Sequence, residues 1–254
     1  MCKIVHNVIH RLILFYFCVF TAAVAQAENG YDLWLRYVPV DDDGLRREYA
    51  EINCNLYFPV RGEVMQAAHE ELTKGIEGLL GYRITPVSNM DNHTLVVTLY
   101  DDLPSVIQKD LSAHTGSLGT EGYLLYQANY EGQEVMIITA KREIGLLYGV
   151  FAYLKRMQTG QKLRGLKVCD APKLKYRILN HWDNLNGTVE RGYAGYSIWN
   201  WERLPVYKEP RYKDYARANA SIGINGAVLN NVNAQAVSLR HDWLVKASGL
   251  ADVL

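Results

Sequence analysis

Residues 176–180 read YRILN, residues 213–222 read KDYARANASI, and residues 226–229 read GAVL. The first and third are short apolar runs, and the second repeats its larger groups at helical spacing, so the order is strand, helix, strand. Tyr215, Ala218, Asn219 and Ile222 mark the side expected to be buried, and Gly223 stands where a helix-ending glycine belongs. A loop over 230–238 follows. Asp242 is then placed to cap a further helix that carries Leu244, Ala247, Leu250, Ala251 and Leu254. Strands and helices in this rhythm pair in parallel through right-handed crossovers. The expected architecture is the start of a (β/α)8 TIM barrel, its first two βα units only. Residues 176–254 are about a third of the ~250 that such a barrel needs. The last helix is read to Leu254 with no glycine stop, basic last turn or polar tail, so a truncated reading frame is expected. The alternative is an open three-layer α/β domain that ends here.

Working towards the N-terminus, Ala171-Pro172-Lys173 forms a boundary, because Pro172 discourages regular structure. Before it the sequence predicts strands over 31–37, 94–100, 121–127 and 134–139. The last two are joined through Asn129-Tyr130-Glu131-Gly132, a hairpin turn. Residues 61–80 and 141–159 carry helical periodicity, the second closed by Gly160. The fold class is α/β, with a small N-terminal mixed α/β sandwich over 28–170 followed by the partial barrel over 171–254.

The first 27 residues are an address. Lys3 and Arg11 precede a 13-residue apolar run, and Ala25-Gln26-Ala27 offers a cleavage site. A membrane-spanning helix would need ~20 apolar residues. The expectation is a cleaved signal peptide, a secreted or periplasmic product, and no membrane association afterwards. Of Cys2, Cys18, Cys54 and Cys169, only the last two would survive cleavage. They would either pair in an oxidising compartment or stay as free thiols, and no CxxC spacing suggests zinc. The chain has 254 residues with 27 basic and 27 acidic side chains, and is 49% apolar. That apolar content excludes disorder as the main character. The zero balance gives no electrostatic footprint for nucleic acid. The 18 tyrosines suit either sugar faces or half-buried strand positions.

In barrels the chemistry sits on the loops that follow the strands. The first such loop, residues 180–195, holds His181, Trp182, Asp183, Glu190, Arg191 and several amides; the second is Asn230-Asn231-Val232-Asn233-Ala234. Read from residue types alone, Asp183 and Glu190 are one possible acid and base, at an undetermined separation, and His181 is either a general base or a hydrogen-bonded structural group. His69, His93, His114 and His241 have no ligand-type spacing.

Several ordered stretches resemble a known family. Asn180-His181-Trp182-Asp183-Asn184, Glu190-Arg191-Gly192-Tyr193-Ala194-Gly195, Ser197-Ile198-Trp199, and Gly223-Ile224-Asn225-Gly226 followed by Asn230-Asn231-Val232-Asn233 are similar to the opening of glycoside hydrolase family 67, the α-glucuronidases. Residues 29–37, and Gly145, Tyr148 and Gly149 within 140–149, resemble its N-terminal domain. The resemblance implies inverting removal of α-1,2-linked glucuronic acid, or its 4-O-methyl ether, from glucuronoxylan-derived oligosaccharides, the aldouronic acids. It implies no metal, no cofactor, and a possible homodimer of the full-length enzyme. The family's catalytic acid and base match no residue here, so the fragment is expected to be inactive. By the same resemblance, Trp182 would pack on the uronic acid and Val232 would form part of an apolar wall. Asp183 and Glu190 would accept hydrogen bonds from hydroxyls, and Arg191 would pair with a carboxylate. The competing readings are a non-catalytic carbohydrate-binding or interaction protein, and another glycosidase with a similar first domain, such as a β-N-acetylhexosaminidase.

Overall fold

A computed structural model of the chain describes residues 28–91 and 93–254. The expected signal segment, with Cys2 and Cys18, lies outside the described residues. The described residues divide between two units, 28–34 and 35–254. In the short unit the Asn29 side chain accepts a hydrogen bond from the Tyr31 amide, and Gly30 O accepts one from the Leu33 amide. The strand expected over 31–37 does not form, and a 3₁₀ turn at Leu33–Arg36 stands in its place. Leu33 and Tyr37 have φ of 51° and 48°, and left-handed residues within the run cannot extend into a ladder. Of the apolar residues whose alternation suggested a strand, Leu35 and Tyr37 are buried while Tyr31 and Leu33 are exposed.

The large unit begins with α1 (Asp43–Ile52), whose N-cap Asp42 accepts from the Leu45 amide at 2.8 Å. Then come β1 (Asn55–Tyr57), α2 (Glu63–Leu80), β2 (Thr85–Pro86), β3 (Thr94–Leu99), α3 (Ser105–Thr115), β4 (Tyr123–Tyr130), β5 (Gln133–Ala140), α4 (Glu143–Gln158) and β6 (Lys167–Asp170). They build a sheet in the order β2-β1-β3-β5-β4-β6. Pairing is parallel from β2 to β5 and antiparallel between β4 and its neighbours β5 and β6. The expected hairpin turns through Glu131 and Gly132, both left-handed, with Asn129 Oδ1 accepting from the Gly132 amide at 3.0 Å. Two left-handed central residues are what the twist of the flanking strands favours.

β3 and β5 are buried along most of their length, as unbroken apolar strands covered on both faces should be. On one face Val96, Leu124 and Ile137 pack with Ile107 and Leu111 of α3. On the other lies α4, so close that a Cβ on Gly149 would stand 3.0 Å from Ile138 Cγ2. α2 packs on α4. Sequence periodicity located α2, β3, β4, β5 and α4. It missed α1, α3, β1 and the edge strands β2 and β6.

Beyond residue 176 the expected rhythm is present. β7 (Ile178–Asn180) pairs in parallel with β8 (Gly226–Val228), with α5 (Pro210–Ala220) between them and α6 (His241–Ala251) after them. Three expectations are corrected. Ile222 lies past the end of α5 and is exposed, while Tyr212 is the fully buried anchor of that helix. Arg240 is the N-cap of α6 and Asp242 falls in its first turn. The helix stops at Ala251, leaving Leu254 outside it and exposed. Tyr212 gathers Trp199, Trp201, Leu204 and Leu250 into a second core.

This second part is tied to the first by two arginines. Arg217 of α5 places Nε 2.6 Å and Nη2 2.8 Å from the carboxylate of Glu71 on α2, and donates from Nη2 to Leu35 O. Tyr37 donates its hydroxyl to the same carboxylate. Arg177, just before β7, pairs with Glu121 at 2.6 Å and donates to Leu174 O and Gly223 O. Cys54 and Cys169 are both free and exposed. Among the described residues no helix is long and apolar enough to cross a membrane.

Two stability predictions follow from this core. Arg217→Met leaves Glu71 buried with no cationic partner and is expected to cost about 3 kcal/mol or more in urea unfolding. Burial also pushes the Tyr49 and Tyr82 phenols up to about 12, against ~10 in an unfolded chain. Above pH ~10 the unfolded chain sheds protons that the fold retains, so stability is full below that pH and is lost as pH rises towards 12. The urea midpoint should therefore fall between pH 9 and 11, and Tyr49→Phe should flatten the fall.

Candidate functional site

The site is built where two parallel strands end. The His181 amide donates to Val228 O at 3.0 Å, one step past the β7–β8 ladder, and the Asn231 amide donates to Asp183 O at 2.7 Å. The two loops therefore leave the sheet side by side. Trp182 precedes the second bond on one chain and Val232 follows it on the other. Both side chains face solvent, 46% and 77% exposed. An apolar ring and an apolar branch are thus held out of the core by bonded neighbours and present an apolar surface.

The loop after Trp182 is stitched to itself. Asn184 N donates to Thr188 O, Val189 N to Gly195 O and Ser197 N to Gly187 O. Short bridges join Asp183 to Val189 and Thr188 to Tyr196. Glu190 sits at φ 59° with its amide on Trp182 O at 2.9 Å and its carbonyl accepting from the Asn184 side chain. Its half-buried carboxylate accepts from the Tyr193 hydroxyl at 3.3 Å, and the Glu190 charge holds that phenol above its ordinary value. Arg191 is exposed and has no hydrogen bond or ion pair with the described residues.

Asp183 is different. It is 4% exposed, and Oδ2 accepts the Ser197 hydroxyl at 2.5 Å. Ser197 Oγ in turn accepts from the Trp199 amide. His181 Nδ1 lies 3.8 Å from Asp183 Oδ1, and His181 Nε2 lies 2.7 Å from the Tyr215 hydroxyl. The imidazole packs against Trp199 and Tyr215, with ring centroids 5.3 and 5.4 Å away. Trp199 meets Tyr212 and Tyr215 at 5.4 and 5.2 Å. Burial above all holds the Tyr215 phenol above its ordinary value, and the Asp183 charge adds to it.

The structure thus brings Trp182, Glu190 and Val232 to the strand ends, leaves Arg191 free at the rim, and turns Asp183 inward to hold the loop. His181 is partly buried and hydrogen-bonded through Nε2 to the Tyr215 hydroxyl. The sequence marks Ser197 and Trp199 only as part of the family-like stretch Ser197-Ile198-Trp199, and Tyr215 only as a residue on the buried side of its helix. The groups presented can hold a polyhydroxylated ligand. The Asp183 carboxylate is buried, with Oδ2 held by the Ser197 hydroxyl. Among the described residues no three His, Cys, Asp or Glu side chains gather as metal ligands would.

Comparison with known proteins agrees along the chain. The glycosyl hydrolase family 67 N-terminus matches residues 33–153, and the family 67 middle domain matches residues 156–254. A probable alpha-glucuronidase A of Aspergillus terreus is 34% identical over 221 residues, 86% of this chain and 25% of that protein. Alpha-glucuronidase A of Emericella nidulans is 33% identical over 247 residues, 90% of this chain and 27% of that protein. The chain spans about a quarter of the length of the curated relatives it matches. Among solved structures, a GH138 enzyme targeting pectin rhamnogalacturonan II aligns with TM-score 0.48 and 14% identity over 78% of this chain and 22% of its own. A likeness at that level carries no functional argument.

Ser197→Ala removes one donor from a buried carboxylate. Urea unfolding is expected to show a loss of about 2 kcal/mol, and amide exchange at Val189 and Ser197 should quicken before that of β3.

Proposed function

The chain belongs to glycosyl hydrolase family 67, and on that premise we propose that it is part of an α-glucuronidase. Residues 28–170 form its N-terminal α/β domain, and residues 171–254 begin a (β/α)8 barrel whose remaining strands lie outside this chain. Residues 1–27 direct export. The substrate is a glucuronoxylan-derived oligosaccharide that carries α-1,2-linked glucuronic acid or its 4-O-methyl ether.

The observation that supports this most is the pair of exposed apolar groups, Trp182 and Val232, at the C-terminal ends of adjacent parallel strands. That is the end of a barrel where binding and catalytic loops gather. Trp182 packs on the uronic acid ring and Val232 borders it. Glu190 accepts from hydroxyls. Arg191, which has no internal partner among the described residues, is available to a substrate carboxylate through its planar fork. Asp183 acts from behind by fixing the loop.

Hydrolysis with inversion needs a carboxylic acid on the leaving oxygen and a carboxylate that activates water on the opposite face. Neither role falls to a residue of this chain, so the 254-residue chain by itself is expected to release no glucuronic acid. No metal or cofactor is part of the proposal.

A chimera tests the reading. Residues 29–254 replace the matching part of the Emericella nidulans enzyme, and release of glucuronic acid from aldouronic acids is followed. The chimera should turn over, and Trp182→Ala within it should lower kcat/KM by at least ~10-fold, or ~1.4 kcal/mol. A folded, active chimera indifferent to Trp182→Ala would remove that ring from the site.

A further inference from the structure

The loop after β7 folds into a ribbon of three short runs. Asp183 bridges Val189 and Thr188 bridges Tyr196, both antiparallel, so residues 182–184, 188–189 and 195–197 lie side by side. Successive side chains of an extended run point to opposite faces, and antiparallel partners share a face. Asp183 and Val189 therefore share one face. Thr188, next to Val189, points the other way, and so does its partner Tyr196. Ser197, next to Tyr196, then turns to the face of Asp183. The hydrogen bond from the Ser197 hydroxyl to Asp183 Oδ2 fixes that face independently, and both residues are buried. On the other face Asn184 Nδ2 donates to Thr188 Oγ1 at 2.9 Å. The outer face thus carries Trp182, Asn184, Thr188 and Tyr196.

We infer that this outer face is a platform for the xylose backbone of the oligosaccharide, with Tyr196 as its far aromatic contact and Trp182 at the end where the uronic acid branches off. The inference rests on the proposed substrate and extends it to the sugars beyond the uronic acid. Asn184, Thr188 and Tyr196 form one row across the ribbon, and Trp182 lies two residues along from the end of that row. With runs ~4.8 Å apart and a rise of ~3.3 Å per residue, the Trp182 and Tyr196 backbones stand about 12 Å apart. One pyranose ring does not span that distance, so the two rings suit different sugars of one chain.

The chemistry of the row fits a neutral chain of xylose. Xylopyranose has no hydroxymethyl arm, so both its faces present C–H groups that lie flat on an aromatic ring, while its hydroxyls point out at the edge. Tyr196 is 88% exposed, and its ring stands on a backbone already bridged to Thr188, so little freedom is left to lose on binding. Between the rings, Asn184 Oδ1 takes no hydrogen bond from the described residues and can accept one from a sugar hydroxyl. The Asn184 amide group is held by Thr188 Oγ1 and Glu190 O, and the Thr188 hydroxyl is held by Asn186 Oδ1. The row from Asn184 to Tyr196 contains no carboxylate and no cation, as a surface for an uncharged backbone requires.

The test uses the full chain with fluorotyrosine in place of tyrosine and xylotetraose, which carries no uronic acid, as the probe. Of the 18 tyrosine signals, that of Tyr196 is the one lost in Tyr196→Phe. Xylotetraose should shift it, and Tyr196→Ala should weaken binding at least ~5-fold, as one lost ring contact implies. Tyr176 is the control, being 70% exposed but placed before the N-terminal end of β7; its signal should stay still. A Tyr196 signal unmoved by xylotetraose, or moved no more than that of Tyr176, overturns the inference. Tryptophan emission read with aldouronic acid separates this result from the proposed function. A response lost in Trp182→Ala, with Tyr196 indifferent to both sugars, leaves the uronic acid reading standing and overturns the platform. A Tyr196 signal that follows xylotetraose while Trp182 ignores aldouronic acid upholds the platform and removes Trp182 from the site.

Discussion

Glu71 lies inside α2, buried, and its carboxylate must be answered because an unpaired buried charge is among the most costly features a fold can carry. Tyr37 gives it one hydrogen bond and Arg217 gives it two. Arg217 comes from α5, so meeting this one demand places α5 against α2. The consequence runs outward. The same helix carries Tyr212, which closes the second core, and Tyr215, which holds His181. His181 continues the β7–β8 ladder and stands next to Trp182. The ring at the strand end is thereby connected to a carboxylate in the first α/β layer through a short series of bonded groups. Arg177 repeats the device one residue before β7, where its guanidinium joins Glu121 to the carbonyls of Leu174 and Gly223. Two such pairs fix placement more than they add stability, since the desolvation of paired ions offsets most of their attraction.

The loop that carries the site is held by a different means. Few of its residues are buried; backbone bonds, two short bridges and the inward-turned Asp183 fix it. Such a loop keeps a fixed shape while leaving large apolar groups in water. Trp182, Tyr193, Tyr196 and Val232 are all exposed there. The two-stranded β7–β8 sheet is likewise open, with Ile178 half exposed. An apolar strand of this kind calls for neighbours on both faces, which is the condition met inside a barrel and the physical ground for reading this sheet as the start of one.

The long periodic segments of the first layer were legible because their patterns are local. α2, β3, the β4–β5 hairpin and α4 each carry enough apolar repeats, or a turn signal, to be read without their partners. α1 and the edge strands are short and owe their structure to what they pack on. The run 31–37 misled for the opposite reason, since its alternation is not matched by burial: Leu35 and Tyr37 are buried while Tyr31 and Leu33 are exposed. At the site, family resemblance picked out the residues at the strand ends. It could not separate Trp182, which faces solvent, from Asp183, which faces inward, because both lie past β7 in a loop whose own hydrogen bonds decide which side chain turns in. Ser197 and Tyr215 stayed hidden because their roles exist only after the loop folds back and α5 docks.

The distribution of carboxylates bears on how the proposed reaction divides among barrel strands. An inverting pair must stand roughly 6.5–9.5 Å apart, on opposite faces of the sugar, with a water between. Two adjacent strands offer one side of such a site. Of the two carboxylates on the first loop, Asp183 is buried with Oδ2 on the Ser197 hydroxyl, and Glu190 accepts from the Tyr193 hydroxyl while its amide is bound to Trp182 O. In the proposed enzyme the holding groups and the reacting groups would then be supplied by different strands. A defect at Trp182 should be felt as loss of orientation, with the acid–base chemistry intact but applied to a badly placed bond.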